Sequence, residues 1–232
     1  LSATLIQIGT NLANDYFDFK KGADTANRKG PTRVTQAGLI SPEKVKAGFI
    51  ISFGLAALLG IYLICLGGLP IFFIGIVSIL SGVLYTAGPK PLAYIGLGDL
   101  FVLIFFGPVA LAGTYYVQAL SFHSDLMWAG LAPGLISTAI LAVNNLRDIE
   151  EDRTTGKNTL AVQFGSQFSK IEYTICLSGA WLICIYLGLT SGRSGAYFPL
   201  ATMIPGLAIT WLVWNREDKL NIALARTGAL LL

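Results

Sequence analysis

The chain has 232 residues, of which 54% are hydrophobic and only 12% are charged, and its formal net charge is +3. A soluble domain carries about twice that fraction of charged residues, whereas apolar runs of about 20 residues, long enough to cross a bilayer, recur along this chain. The composition excludes a soluble globular domain, a nucleic-acid-binding module and a disordered tail.

Eight hydrophobic segments predict an all-α, polytopic transmembrane helical bundle. They cover residues 1–19, 42–66, 69–88, 97–119, 124–147, 168–190, 196–215 and 217–232. Glycine and proline recur inside these segments, as membrane helices tolerate, and no linker divides the chain, so we expect a single domain over residues 1–232. Since the chain begins at Leu1 and ends in an apolar run, we expect that domain to be truncated at both ends.

The distribution of positive charge predicts how the segments are oriented. If the loop over residues 20–41 faces the cytoplasm and the segments alternate in direction, every one of the 16 lysines and arginines except Arg193 lies on or near the cytoplasmic side. An excess of Lys and Arg in cytoplasmic loops is the usual pattern of membrane proteins. We therefore expect a multi-pass protein of the inner (cytoplasmic) membrane, with the lipid bilayer as its surroundings.

The first segment ends in an acidic cluster on the side predicted to be cytoplasmic. Asn11, Asp15 and Asp18 are spaced four and three residues apart, which places them on one face of a helix. Asn14 lies near the same face, and Asp24 follows in the next loop. Carboxylates at membrane depth are costly and mark functional sites.

The fifth segment ends in a second acidic cluster. Asn144, Asp148 and Asp152 are spaced four residues apart, again on one helical face, and both segments run toward the cytoplasm. Like charges on one face repel each other, and Mg²⁺ neutralises such groups through oxygen ligands shared with substrate phosphates. The two clusters together predict a diphosphate held by Mg²⁺, with Asn11 and Asn144 orienting the carboxylates. The alternatives are solvated helix ends and the ion or proton pathway of a transporter.

A glycine-containing basic loop follows each acidic cluster. Arg33, Arg153 and Lys157 stand closest to the acidic faces in the sequence and are candidates to stabilise the charge of a departing diphosphate. The alternative is that these residues set the topology and contact lipid headgroups.

The connection between the third and fourth segments contributes further candidates. Lys90 lies between two prolines at a helix end and is a candidate catalytic ligand of the diphosphate, with a topological anchor as the alternative. Asp99 opens the fourth segment, either at the diphosphate site or as a helix N-cap. Tyr85 is a candidate for the pocket lining, although aromatic belts also place Tyr near membrane interfaces.

Longer strings in these regions resemble the UbiA superfamily of intramembrane aromatic prenyltransferases. Within it they are most similar to the 1,4-dihydroxy-2-naphthoate polyprenyltransferases, the menaquinone-pathway branch. The strings are N-x-x-N-D-Y-x-D-x-x-x-G-x-D at 11–24, R-x-T-Q-A-G-L at 33–39, Y-T-x-G-P-x-P-L-A-Y-x-G-L-G-D at 85–99, G-T-Y-Y at 113–116 and N-N-x-R-D-I-E-x-D-x-x-x-G-K-x-T-L-A-V at 144–162. Gly22 stands where the 4-hydroxybenzoate branch has an aspartate, which agrees with the naphthoate branch.

The resemblance implies a fold and a reaction. Members have nine transmembrane helices around a central cavity, of which the first is missing here and the ninth is cut. Two Mg²⁺ ions bind the diphosphate of a polyprenyl diphosphate, and the metal ligands carried over by the motifs are Asp15, Asp18, Asp148 and Asp152. The C–O bond ionises to an allylic cation, the ring of 1,4-dihydroxy-2-naphthoate attacks it, and loss of CO2 gives demethylmenaquinone. The alternatives are another aromatic acceptor and, in a different class, a transporter.

Overall fold

The computed structural model describes residues 1–23 and 29–231, and no strand occurs among them. Asp24 of the first acidic cluster and Arg28 of the loop behind it lie outside the described residues. Contacts divide the chain into two units: the first unit is Leu1–Gly98 with Glu150–Thr159, and the second unit is Asp99–Ile149 with Leu160–Leu232. The prediction of an all-α bundle of membrane helices is confirmed.

The first unit is built from helix α1 (Ser2–Lys20) and a broken helix α2 (Pro42–Leu84). Gly68 interrupts α2 with φ 67° and ψ −153°, a backbone conformation that glycine adopts without steric cost. The Phe53 ring lies 3.7 Å from the position that a Cβ on Gly82 would take, so the two arms of α2 fold back on each other. The break falls between the predicted segments 42–66 and 69–88.

Aromatic rings join α1 to the first arm of α2. The rings of Tyr16 and Phe49 have their centroids 5.8 Å apart, and those of Phe17 and Phe49 are 5.9 Å apart. Phe53 packs against Gly9, where an added Cβ would lie 2.8 Å from the ring. The Gly9 contact needs a residue without a side chain, and the Phe49 contacts hold the polar end of α1 against α2.

The second unit begins with helices α3 (Gly98–Ile104) and α4 (Ala110–Ala119), which are joined by a π-helical turn over Phe105–Val109. Pro108 lacks the N–H that a regular helix needs at that position, and such turns commonly form where a helix is interrupted. The turn packs on helix α5 (Asp125–Thr154) through Gly130, where an added Cβ would lie 2.6 Å from the Pro108 Cα.

The second unit continues through helices α6 (Leu160–Ser191), α7 (Met203–Asn215) and α8 (Leu220–Ala229). A 3₁₀ helix, Ser194–Thr202, leads into α7. Val143 of α5, Tyr173 and Leu177 of α6 and Val213 of α7 are among the fully buried side chains that hold these helices together.

Five helical stretches of the described chain are long and apolar enough to cross a membrane. They are Pro42–Leu84, Gly98–Ala119, Asp125–Thr154, Leu160–Ser191 and Ser194–Asn215. The folded-back α2 contains two of the predicted segments. Helix α1 ends in charged residues and α8 has 10 residues, about 15 Å of helix, so neither end segment qualifies as a span by composition and length.

Candidate active site

The last turn of α1 buries the carboxylate of Asp18 among cationic and hydroxyl groups of the first unit. Asp18 is 1% exposed, its Oδ1 accepts a hydrogen bond from the Tyr94 hydroxyl at 3.0 Å, and its Oδ2 accepts one from Lys157 Nζ at 3.0 Å. The guanidinium of Arg33 lies 3.9 Å from the same Oδ2. Two cations therefore offset the charge of one carboxylate, as a buried charge requires.

Lys157 reaches Asp18 because of a tight turn after α5. The backbone N–H of Lys157 donates to the Asp152 carbonyl at 2.9 Å, and the N–H of Asn158 donates to the Tyr94 carbonyl at 3.2 Å. Gly156, directly before Lys157, has φ 76°, in the left-handed region that favours glycine. The sequence G-K therefore has a local structural meaning: the glycine turns the chain and the lysine side chain enters the site.

Asp15 holds the loop that carries Arg33. Its two carboxylate oxygens accept hydrogen bonds from the backbone N–H groups of Val34 at 3.2 Å and Thr35 at 3.4 Å, and the side chain is buried. Backbone bonds within the 33–40 turn continue from there, with the N–H of Ala37 donating to the Arg33 carbonyl. The predicted metal ligand Asp15 is thus also the acceptor that anchors the neighbouring basic turn.

A second lysine lies beside this cluster. Lys21 Nζ donates to the Thr86 carbonyl at 2.7 Å and lies 4.5 Å from the centre of the Tyr94 ring. Lys157 Nζ lies 5.4 Å from the same ring centre. Although the Lys21 residue is exposed, partial desolvation of its ammonium group lowers its pKa below the usual value; the charge of Asp18 opposes that shift and the charge of Lys157 adds to it. Neither Lys21 nor Tyr94 was among the predicted site residues.

The remaining predicted residues of the first unit occupy different surroundings. Asn14 accepts a hydrogen bond from the Thr86 hydroxyl at 2.9 Å, so it braces the end of α1 against the loop after α2. Asn11 and Lys90 are exposed. Arg153 is paired with Glu150 at 3.3 Å, and the two side chains are 56% and 74% exposed. Of the three predicted cations Arg33, Arg153 and Lys157, the structure places Arg33 and Lys157 beside Asp18 and pairs Arg153 with Glu150.

The last two predicted site residues of the first unit are Asp152 and Tyr85. Asp152 is buried one turn before the Gly156 turn, and Tyr85 follows the last residue of α2, half-buried, with its carbonyl accepting from the Ala93 N–H at 3.0 Å. That bond closes the loop that presents Tyr94.

The second acidic cluster contains a buried ion pair inside the second unit. Arg147 donates from Nε to Asp148 at 2.7 Å and from Nη2 at 2.6 Å, a bidentate pair. The same guanidinium donates to Asn144 and to Asn221 of α8, each at 2.9 Å. Neighbouring residues on a helix do not normally face each other, but the Arg147 side chain is long enough to bring its guanidinium to the Asp148 carboxylate. For this reason the sequence did not predict Arg147 as the partner of Asp148.

Asp99 lies in the first turn of α3, in the second unit, and it is buried. Its backbone carbonyl accepts from the Thr138 hydroxyl at 3.5 Å. Because the helix already begins at Gly98, Asp99 lies inside the first turn, where a negative charge suits the helix dipole.

The donor set suits Mg²⁺ by its chemistry. The first unit buries the carboxylates of Asp15, Asp18 and Asp152, and the second unit buries that of Asp148; all of them offer oxygen atoms only. Within its own unit, Asp18 has Lys157 and Arg33 as cationic neighbours, and Asp148 has Arg147. No group of three or more His, Cys, Asp or Glu side chains that could hold a metal occurs within residues 1–23 and 29–231. Mg²⁺ typically takes one or two carboxylates and completes its shell with waters and substrate phosphates, so a site of this kind does not need three.

Comparison with known proteins agrees with the resemblance of the motifs. The UbiA prenyltransferase family matches residues 1–228. The chain is 39% identical over 214 residues to a 1,4-dihydroxy-2-naphthoate octaprenyltransferase of Haemophilus influenzae, covering 90% of this chain and 70% of that protein. It is 40% identical over 193 residues to the protein of the same name from Escherichia coli, covering 81% of this chain and 62% of that protein.

A relative of the same name from Mycobacterium tuberculosis is 39% identical over 193 residues, covering 82% of this chain and 64% of that protein. The chain thus spans a little under two thirds of the length of two of these three relatives. No solved structure matches the chain. Because the family match covers residues 1–228 and the relatives are this similar, the chain belongs to the UbiA prenyltransferase family.

Proposed function

We propose that the protein transfers a polyprenyl group from an allylic diphosphate to 1,4-dihydroxy-2-naphthoate. The C–O bond to the diphosphate breaks, a C–C bond forms at the ring carbon that bears the carboxylate, and CO2 leaves as the ring regains aromaticity. The product is the reduced form of demethylmenaquinone, and the by-product is diphosphate. The names of the relatives support the acceptor and the donor class.

The observation that carries the proposal is the buried carboxylate of Asp18 between Lys157 and Arg33. A diphosphate that reaches this end of α1 can take the place of the Asp18 carboxylate as the anionic partner of the two cations. Lys157 and Arg33 can turn from one carboxylate oxygen toward phosphate oxygens and stabilise the charge that develops on the leaving group.

Mg²⁺ would be held by Asp15, Asp18, Asp148 and Asp152, and when bound it neutralises the diphosphate and makes it a better leaving group. The chain's own groups perform the remaining tasks. The turn anchored by Asp15 holds Arg33 over the site, and the Gly156 turn presents Lys157. Apolar helices keep water from the allylic cation, which water would otherwise trap as an alcohol.

We also propose that the site opens to the cytoplasmic side of the inner membrane. The support is the distribution of Lys and Arg along the sequence, in which Arg193 alone departs from the predicted side. On this proposal the soluble naphthoate acceptor enters from the cytoplasm, and the polyprenyl chain stays in the lipid.

The test uses the full-length protein in membranes with a radiolabelled polyprenyl diphosphate, 1,4-dihydroxy-2-naphthoate and Mg²⁺. We expect a prenylated naphthoquinone and one CO2 for each diphosphate released. Prenylation of 4-hydroxybenzoate or homogentisate instead would retain the prenyltransferase but overturn the acceptor. If no acceptor releases diphosphate, the enzymatic proposal is wrong, and ion-gradient-dependent transport is the next measurement.

A further inference from the structure

The Tyr94 side chain is the common contact of three charged groups in the first unit. Its hydroxyl donates to Asp18 at 3.0 Å, while its ring centre lies 4.5 Å from Lys21 Nζ and 5.4 Å from Lys157 Nζ. An ammonium group within about 6 Å of an aromatic face is attracted to the negative charge of that face. One tyrosine thus holds two lysines that would otherwise repel each other.

Each of these ammonium groups keeps donors for a further ligand. An ammonium has three N–H donors; the Thr86 carbonyl takes one from Lys21, and Asp18 takes one from Lys157. Lys21 is exposed, whereas the side chain of Lys157 is 14% exposed. An anion that arrives from solution can therefore reach Lys21 directly.

The charges of the pair favour a multivalent anion. Lys21 Nζ and Lys157 Nζ both lie over the Tyr94 ring, 4.5 Å and 5.4 Å from its centre, so their two positive charges are close enough to repel each other. Asp18 supplies one negative charge against Lys21, Lys157 and Arg33. A diphosphate that binds between the two ammonium groups relieves their repulsion and receives a charge-assisted hydrogen bond from each.

From this geometry we infer that Lys21 binds the diphosphate together with Lys157, and that Tyr94 is the positioning residue for both lysines. The inference rests on the proposed function, whose diphosphate substrate it assigns to these side chains. Its competing explanation is purely structural: Lys21 ties the end of α1 to the Thr86 carbonyl and does nothing further.

The experiment measures binding of inorganic pyrophosphate, in the presence of Mg²⁺, to the full-length protein in nanodiscs by calorimetry. The variants are Lys21→Met and the matched control Lys20→Met; Lys20 is exposed and lies 5.9 Å from the Tyr16 ring centre. We expect Lys21→Met to weaken binding about tenfold or more, as loss of a charge-assisted hydrogen bond does. Lys20→Met should bind as the unaltered protein does.

Two substitutions of Tyr94 separate its ring from its hydroxyl. Tyr94→Leu removes the ring and should weaken pyrophosphate binding about as much as Lys21→Met, whereas Tyr94→Phe keeps the ring and should retain binding within about threefold. In the prenyl-transfer assay Lys21→Met should raise KM for the polyprenyl diphosphate by more than it lowers kcat. A merely structural role would lower the melting temperature without this split.

Equal binding by Lys21→Met and Lys20→Met, or unchanged binding by Tyr94→Leu, overturns the inference. So does an unaltered protein that does not bind pyrophosphate. If Lys21→Met does not fold, Lys21→Gln keeps a donor for the Thr86 carbonyl without the charge and carries the same comparison. Pyrophosphate binding with the expected variant pattern, but no prenylation of any acceptor, leaves the inference standing and rejects the proposed function.

Discussion

At the scale of single residues, the buried carboxylate of Asp18 has the most charged and hydroxyl contacts of the proposed site residues in the first unit. Asp18→Asn keeps the shape and the Tyr94 contact but removes the charge that faces Lys157 and Arg33. We expect turnover to fall roughly 100-fold or more, the size of effect seen when a preorganised electrostatic contact is lost. The control is Asp218→Asn, which removes an exposed carboxylate paired with Arg216, and turnover close to that control contradicts the assignment.

Asp15 has a structural task as well as its proposed metal task, and a substitution separates the two. Asp15→Ala removes both acceptors for the N–H groups of Val34 and Thr35. We expect turnover to disappear and trypsin to cleave faster after Arg33, while the helical core keeps its melting temperature. Protection of the 33–40 turn equal to that of the unaltered protein would show that Asp15 does not anchor it.

The sequence predicted which side chains share a face but not what they contact. Asp15 and Asp18 do lie together at the end of α1, because a spacing of three residues follows the helical repeat. The partners of Asp15 are backbone N–H groups from the 33–40 turn. Since nearly every residue type has the same backbone N–H group, the identity of the residues in the turn does not predict this contact. Tyr94 was visible only as one letter of a motif, since its role comes from a long-range contact.

At the scale of elements, the packing of α5 on the π-helical turn depends on glycine. A Cβ on Gly130 would lie 2.6 Å from the Pro108 Cα, and neither backbone can move away cheaply. We expect Gly130→Ala to reduce the amount of folded protein in membranes and to lower its melting temperature, because overpacking costs about 1–3 kcal/mol or more. The matched control is Gly75→Ala in α2, where a Cβ meets nothing within 4 Å.

If Gly130→Ala and Gly75→Ala have the same melting temperature, the close approach of α5 to the π-helical turn is wrong.

The breaks in the helices also show which features of the elements can be predicted from the sequence. The break in α2 was predicted from a gap between apolar segments. The π-helical turn at Gly107–Pro108 was not, because it lies inside one unbroken apolar run and its partner glycines are on another helix.

At the scale of the whole molecule, the proposed metal requirement gives a test that needs no substitution. We expect EDTA to abolish prenyl transfer and Mg²⁺ to restore it, because four carboxylates are proposed to bind diphosphate through a divalent cation. The control is Ca-loaded EDTA, which leaves ionic strength and chelator in place. Full turnover in metal-free buffer would contradict the proposed metal requirement. The lysine and arginine side chains of the protein, rather than Mg²⁺, would then activate the diphosphate.

The all-α membrane fold was the most predictable level, because the length of apolar segments depends on the bilayer rather than on particular contacts. The end segments are the exception. The sequence predicts a span over residues 1–19, but helix α1 carries Asp15, Asp18 and Lys20 at its end and is not among the stretches apolar enough to cross a membrane.

The ion pair of Lys157 with Asp18 joins residues 139 positions apart, and this separation bears on biosynthesis. Residues 1–98 of the first unit are made well before residues 150–159 complete it. Until the ribosome has passed Lys157, Asp18 lacks this partner, and of its two cationic neighbours only Arg33 has been synthesised. The proposed site at the end of α1 is therefore complete only after the helices between Asp18 and Lys157 have been synthesised, so the order of translation delays the onset of the proposed activity.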